Sequence, residues 1–152
     1  MFNLIKFDSK IGNPYTRFLC KVGFDFLEKG ILTTNKETIV TGTLLTGLGF
    51  GNSSTTLGHA LSYVYSNEGY AHGHTLAQTT LIAHEFNTSQ FFNRFLKIVR
   101  FLGFKPIKLK KDYHDAADLI LTDKKHLDNN PKNVLKYDII SLLKKIDKYS
   151  IL

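Results

Sequence analysis

Helix punctuation, repeated from one end of the chain to the other, constrains the fold more than any other feature. Asn13-Pro14 reads as a helix start, because asparagine caps free amides and proline at the first helical position sacrifices no hydrogen bond. Tyr15, Phe18, Leu19, Val22, Phe26 and Leu27 then recur at helical spacing until Gly30. A second helix is predicted from about Asn35 to Phe50, with Ile39, Gly42, Thr43, Leu45, Thr46 and Gly49 on one small-residue face. Each glycine costs a helix up to about 1 kcal/mol against alanine, so Gly42, Gly47 and Gly49 call for a close neighbouring helix.

The pattern continues. Ser53-Ser54-Thr55-Thr56 offers caps for a third helix through Tyr65, and a fourth is predicted from about His72 to Phe86. Asn87-Thr88-Ser89-Gln90 has the form of a capping box ahead of an amphipathic helix, Phe91 to Arg100, that stops near Gly103. Pro106 marks a connection, Asp112 to Lys124 reads as a sixth helix, and Asn129-Asn130-Pro131 breaks the chain. A last helix from about Lys136 to Tyr149 turns Ile139, Ile140, Leu142, Leu143 and Ile146 inward. Period-two alternation and hairpin signals are absent, and MFNLIKFD at the N-terminus is readable as a strand or as the tail of a helix. The expectation is an all-α bundle of six or seven helices, with residues 1–152 as a single domain.

Hydrophobic residues make up 43% and charged residues 22%, which fits a folded globular domain rather than a disordered one. No apolar run is long enough for a membrane span, no secretory signal opens the chain, and the single cysteine, Cys20, has no partner for a disulfide. A cytoplasmic protein is expected. The net charge of +7 comes largely from lysines in the C-terminal third, from Lys105 to Lys148. Without a helix-turn-helix, zinc-finger or aromatic RNA-binding signature, they read as a solvated face, and neither nucleic acid nor membrane is an expected partner.

Chemistry concentrates between Thr55 and Asn87. His59 lies in an apolar, small-residue helix beside Leu57, Ala60, Leu61 and Val64, and His72 follows a turn at Asn67-Glu68-Gly69-Tyr70. Two imidazoles on neighbouring helices are spaced as metal ligands would be, although a catalytic site usually takes three or more protein ligands and keeps one position open. His74 points to a different helix face from His72, which suggests support of the site or solvent exposure. His84, His114 and His126 are scattered and read as structural or exposed. Asp112, Asp115 and Asp118 form a solvated acidic face without the EF-hand pattern, and Cys20 reads as buried rather than reactive.

Several of these stretches, in order, resemble one family. Ser9-Lys10-Ile11-Gly12-Asn13-Pro14-Tyr15-Thr16 is similar to a serine followed by alanine-asparagine-proline-x-threonine. Gly58-His59-Ala60-Leu61-Ser62-Tyr63 and Ala71-His72-Gly73-His74 resemble its two histidine motifs, the second normally proline-histidine-glycine. Glu85-Phe86-Asn87, Ala117-Asp118, Asn129-Asn130-Pro131-Lys132 and Asp138-Ile139-Ile140 resemble the segments that follow. The family is that of the iron-containing alcohol dehydrogenases, related to glycerol dehydrogenase and dehydroquinate synthase, and the resemblance is to its helical C-terminal domain.

The resemblance implies a divalent metal, iron or zinc, held by one aspartate and three histidines in a cleft between two domains. His59 and His72 match the last two ligands. The other two would lie just upstream of Ser9, with Met1 falling about where the first histidine belongs, and no GxGxxG-type turn follows a strand anywhere in the chain. The chain is therefore expected to be half of an NAD(P)-dependent oxidoreductase interconverting alcohols and aldehydes, inactive alone, with a separate nucleotide-binding chain or a second copy as partner. The alternative is a remnant bundle serving as an oligomerisation or interaction module.

Two departures stand out. Ala71 replaces the proline, and Tyr63 stands where many members carry a further histidine, which leaves a substrate contact through its hydroxyl in place of a proton relay. Ser62, Thr55 and Thr56 are the candidates to orient the ligating rings.

Overall fold

A computed structural model describes residues 9–148. Among them the chain forms α1 (Pro14–Leu32), α2 (Lys36–Gly51), α3 (Leu57–Ser66), α4 (His72–Phe86), α5 (Phe92–Leu102), α6 (Tyr113–Leu121), α7 (Lys124–Asp128) and α8 (Lys136–Lys148), with no strand. MFNLIK and Phe7-Asp8, together with Tyr149, lie outside the described residues.

The predicted start of α1 forms a full capping box. Asn13 Oδ1 accepts from Thr16 N at 3.0 Å, and Thr16 Oγ1 accepts from Asn13 N at 2.9 Å. Asn35 caps α2 through Thr38 N at 2.9 Å. The two helices then run antiparallel in close contact. A Cβ built on Gly23 would lie 2.7 Å from Thr46 N, one on Gly42 2.7 Å from Leu27 N, and one on Gly49 2.6 Å from Cys20 Sγ. These glycines let the backbones approach. Gly47 differs from the expectation, because nothing lies within 4 Å of its Cβ position.

α4 is the pivot. Every residue from Thr75 to His84 is buried, as for a helix covered on all sides. Leu76, Ala77 and Leu81 pack with Phe24, Leu27 and Ile31 of α1 and Phe95, Ile98 and Val99 of α5. Ile82 and Ala83 pack into a second cluster with Leu57, Leu61 and Tyr65 of α3, Ala116, Ala117 and Ile120 of α6, and Ile139, Leu143 and Ile146 of α8. Two cores thus share one central helix.

Three details depart from the sequence reading. The described residues hold eight helices rather than six or seven, because the stretch read as one helix from Asp112 to Lys124 stops at Leu121. Thr122 turns its hydroxyl back to Leu119 O at 2.7 Å, and Asp123 accepts from His126 N at 3.4 Å to start the short α7. The capping box at Asn87 does not form. Asn87 ends α4, its side chain exchanges two 2.9 Å hydrogen bonds with Asn130, and α5 begins with no side-chain cap.

Surface features follow the expectations more closely. Asp112, Asp115 and Asp118 are exposed, as are nearly all the lysines of the C-terminal third, and Cys20 is buried. No helix among the described residues is long and apolar enough to cross a membrane.

Candidate metal centre

His59 and Tyr63 stand one turn apart on α3, a spacing that puts both on one face. Gly69 makes the turn into α4 with φ of 97°, in the left-handed region where glycine carries no Cβ penalty. This reversal brings His72, the first residue of α4, back over α3. The His59 and His72 rings meet edge to face with 5.8 Å between centroids. His59 is buried and His72 exposed, so the pair spans the boundary between core and surface.

Orientation of His72 comes from a residue the sequence reading passed over. Ser66 Oγ lies 3.4 Å from His72 Nδ1 and 3.1 Å from Thr75 Oγ1. The earlier candidates are used differently: Ser62 donates to His59 O at 2.8 Å, and Thr56 Oγ1 is buried without a hydrogen-bond partner. The signal available in sequence was a serine in the last turn before Gly69, close to His72 in the folded hairpin.

Scattered from the other histidines in sequence, His126 joins the cluster in the structure. Its ring lies nearly parallel to that of His59, 16° between planes and 5.9 Å between centroids. Tyr63 is 5.8 Å from both His72 and His126. Asp123, three residues before His126, sets both carboxylate oxygens 2.6 Å from His126 Nδ1. Burial, followed by the nearby charge of Asp123, raises the Tyr63 phenol above its ordinary value, so at neutral pH it remains a hydrogen-bond donor.

The other histidines stand apart. His74 Nε2 lies 2.5 Å from Lys105 O, beside the Gln78 amide that donates to the same carbonyl, and so helps fasten the segment after α5. His84 is wholly buried against Phe95 at 5.4 Å, with neither ring nitrogen hydrogen-bonded, and His114 is exposed.

No family model matches the chain, and no curated protein matches it in sequence. Solved structures do match in three dimensions. An alcohol dehydrogenase from Oenococcus oeni superposes with a TM-score of 0.80 at 16% identity, over 95% of this chain and 48% of that one. An iron-containing alcohol dehydrogenase from Thermotoga maritima matches with a TM-score of 0.73 at 14% identity, over 95% and 46%.

The chain has the fold of half an iron-containing alcohol dehydrogenase. A probable glycerol dehydrogenase from Sinorhizobium meliloti gives the same result, with a TM-score of 0.70 at 16% identity over 90% of this chain and 46% of that one. The chain thus spans about half the length of the iron-containing alcohol dehydrogenases and related structures it matches.

Two imidazoles suit the zinc or iron that the sequence resemblance implies. Neutral imidazole nitrogen binds both zinc and ferrous iron well, and two rings at this separation can share one ion. Among the described residues, however, no three His, Cys, Asp or Glu side chains are already converged on one point.

Proposed function

We propose that this chain is the metal-binding part of an NAD(P)-dependent oxidoreductase of the iron-containing alcohol dehydrogenase type, acting between small alcohols and aldehydes in the cytoplasm. The observation that carries the reading is the approach of His59 and His72 to 5.8 Å in a chain with half the fold of such an enzyme. A bound divalent ion supplies Lewis-acid chemistry at a substrate oxygen. His59 and His72 hold that ion, and Ser66 fixes the His72 ring. Tyr63, half-exposed and protonated, donates a hydrogen bond to the substrate oxygen. Nicotinamide binding belongs to a nucleotide-binding portion outside residues 9–148.

The test is reconstitution. The chain is mixed with candidate nucleotide-binding chains encoded beside it, and reduction of NAD(P) is followed with short-chain alcohols and zinc or ferrous iron. Activity in the mixture, lost with His59→Ala or His72→Ala, supports the reading. A well-folded complex that ignores both substitutions refutes it.

A second reading, a bundle serving only as an oligomerisation module, draws on the exposed apolar side chains Val40, Leu44 and Leu48 along α2 and Tyr15 and Phe18 on α1. It predicts self-association that metal and the histidine substitutions leave unchanged.

A further inference from the structure

Only three of the 16 residues of α2 are buried, Gly42, Thr46 and Gly49. They form the side that lies against Thr16, Cys20, Gly23 and Leu27 of α1, the helix on which α2 chiefly packs. At about 100° of turn per residue, Val40, Leu44 and Leu48 fall on the opposite side, where they are 67%, 62% and 46% exposed. A single exposed leucine is ordinary, but apolar side chains aligned on successive turns mark a contact surface. The helix offers nothing polar enough to offset them, because Thr38 to Gly51 contains no charged residue.

This stripe is its own complement. Val40 and Leu48 lie four positions either side of Leu44, and Glu37 and Gly51 lie seven. When two copies of α2 pair antiparallel about a two-fold axis at Leu44, the two Leu44 side chains meet and each Val40 meets Leu48 of the second copy. Each Glu37 then lies at the end of the second copy's helix that carries Gly51. Charge is matched there: Lys125 lines an open groove with Phe50, Gly51, Ser54 and Thr55. Glu37 and Lys125 are exposed, and neither forms an ion pair among the described residues.

We propose that this chain forms a two-fold symmetric dimer through the outward face of α2, with Leu44 on the axis and Glu37 of each copy beside Lys125 of the other. The 16 residues of α2 make about 24 Å of helix. Laid along its own copy at a crossing of about 20°, such a helix removes on the order of 500 Å² of surface per chain, about 1,000 Å² in all, which is the lower end for a specific interface. The dimer is therefore a reversible one of micromolar affinity. It stands apart from the metal reading, because His59 belongs to α3 and His72 to α4.

The experiment is analytical ultracentrifugation of the full chain at concentrations from micromolar to about 1 mM. The expected result is a monomer–dimer equilibrium that Leu44→Glu weakens about a hundredfold or more, because it removes two leucines from the centre and sets two carboxylates against each other. Glu37→Lys and Lys125→Glu should each weaken it about fivefold, and the two combined should restore it. Tyr137→Glu, at a 79% exposed position on α8, is the unaffected control. Circular dichroism checks that each variant keeps its helices, and the charge exchange decides the matter even if Leu44→Glu folds poorly. A chain that stays monomeric throughout, including one whose α2 binds a nucleotide-binding chain instead, overturns the proposal. A dimer that Leu44→Glu leaves intact, or a charge exchange that fails to restore association, overturns it too.

Discussion

The phenol ring of Tyr63 lies 5.8 Å from the imidazole of His72 with 10° between their planes, so a tyrosine stacks against this ligand candidate. The stack and the 3.4 Å contact from Ser66 Oγ to Nδ1 together hold the His72 ring.

Tyr63→Phe should therefore leave stability nearly unchanged, because the ring contacts with His72 and His126 remain. Tyr63→Ala should cost about 0.5–1.5 kcal/mol, the range for an aromatic pair beyond its buried area. Urea unfolding of the two variants checks this. Equal losses in both would mean that the hydroxyl, rather than the stack, carries the contribution.

His84 predicts an acid sensitivity. Burial lowers its pKa from 6.5 to about 3, so the folded state keeps the ring neutral while the unfolded state takes up a proton near 6.5. Between those values the unfolded state binds more protons, and stability falls as pH falls, by up to about 1.4 kcal/mol per pH unit. Above pH 6.5 this contribution is flat. His84→Leu should remove that part of the slope, measured as the difference between variant and parent in denaturant unfolding from pH 7 to about pH 4. An identical slope in both proteins contradicts the assignment.

The α1–α2 hairpin makes opposite predictions for two glycines on one helix. Gly42→Ala would set a methyl 2.7 Å from Leu27 N and 2.8 Å from Gly23 O, and backbone atoms cannot yield cheaply. Overpacking of this kind costs about 1–3 kcal/mol or more. Gly47→Ala meets nothing within 4 Å and should gain about 0.5–1 kcal/mol from helix propensity alone. Thermal melts of the two variants should move in opposite directions, and a shift of the same sign would contradict the packing described for α2.

Most of the helical fold was legible because its signals are local. Asn13-Pro14 and Asn35 cap the helices they were expected to cap, and Ile139, Leu142, Leu143 and Ile146 are buried as their spacing predicts. What escaped was decided at long range. Asn87 had the right neighbours for a capping box, but Asn130, brought in by the loop after α7, offered reciprocal hydrogen bonds that satisfy both buried amides. The break between α6 and α7 carries no glycine or proline, and rests on Thr122 bonding back to Leu119 and Asp123 accepting from His126 N ahead of it.

The same division governs the site. His59 and His72 are joined by a short turn and were paired from sequence, whereas His126 reaches them only through the packing of α7 against α3. The one local hint was Asp123 at the spacing that lets a carboxylate hold His126. Gly47 shows the converse, a residue that looked like a packing glycine and has no neighbour to explain it.

The central claim is that His59 and His72 hold one divalent ion. Isothermal titration of the metal-free chain with Zn²⁺ tests it most directly, beside the double variant His59→Ala/His72→Ala checked for helicity by circular dichroism. The account predicts one Zn²⁺ per parent chain and no binding heat in the folded double variant. A parent chain that binds no Zn²⁺, or a double variant that binds it as tightly, would contradict the account.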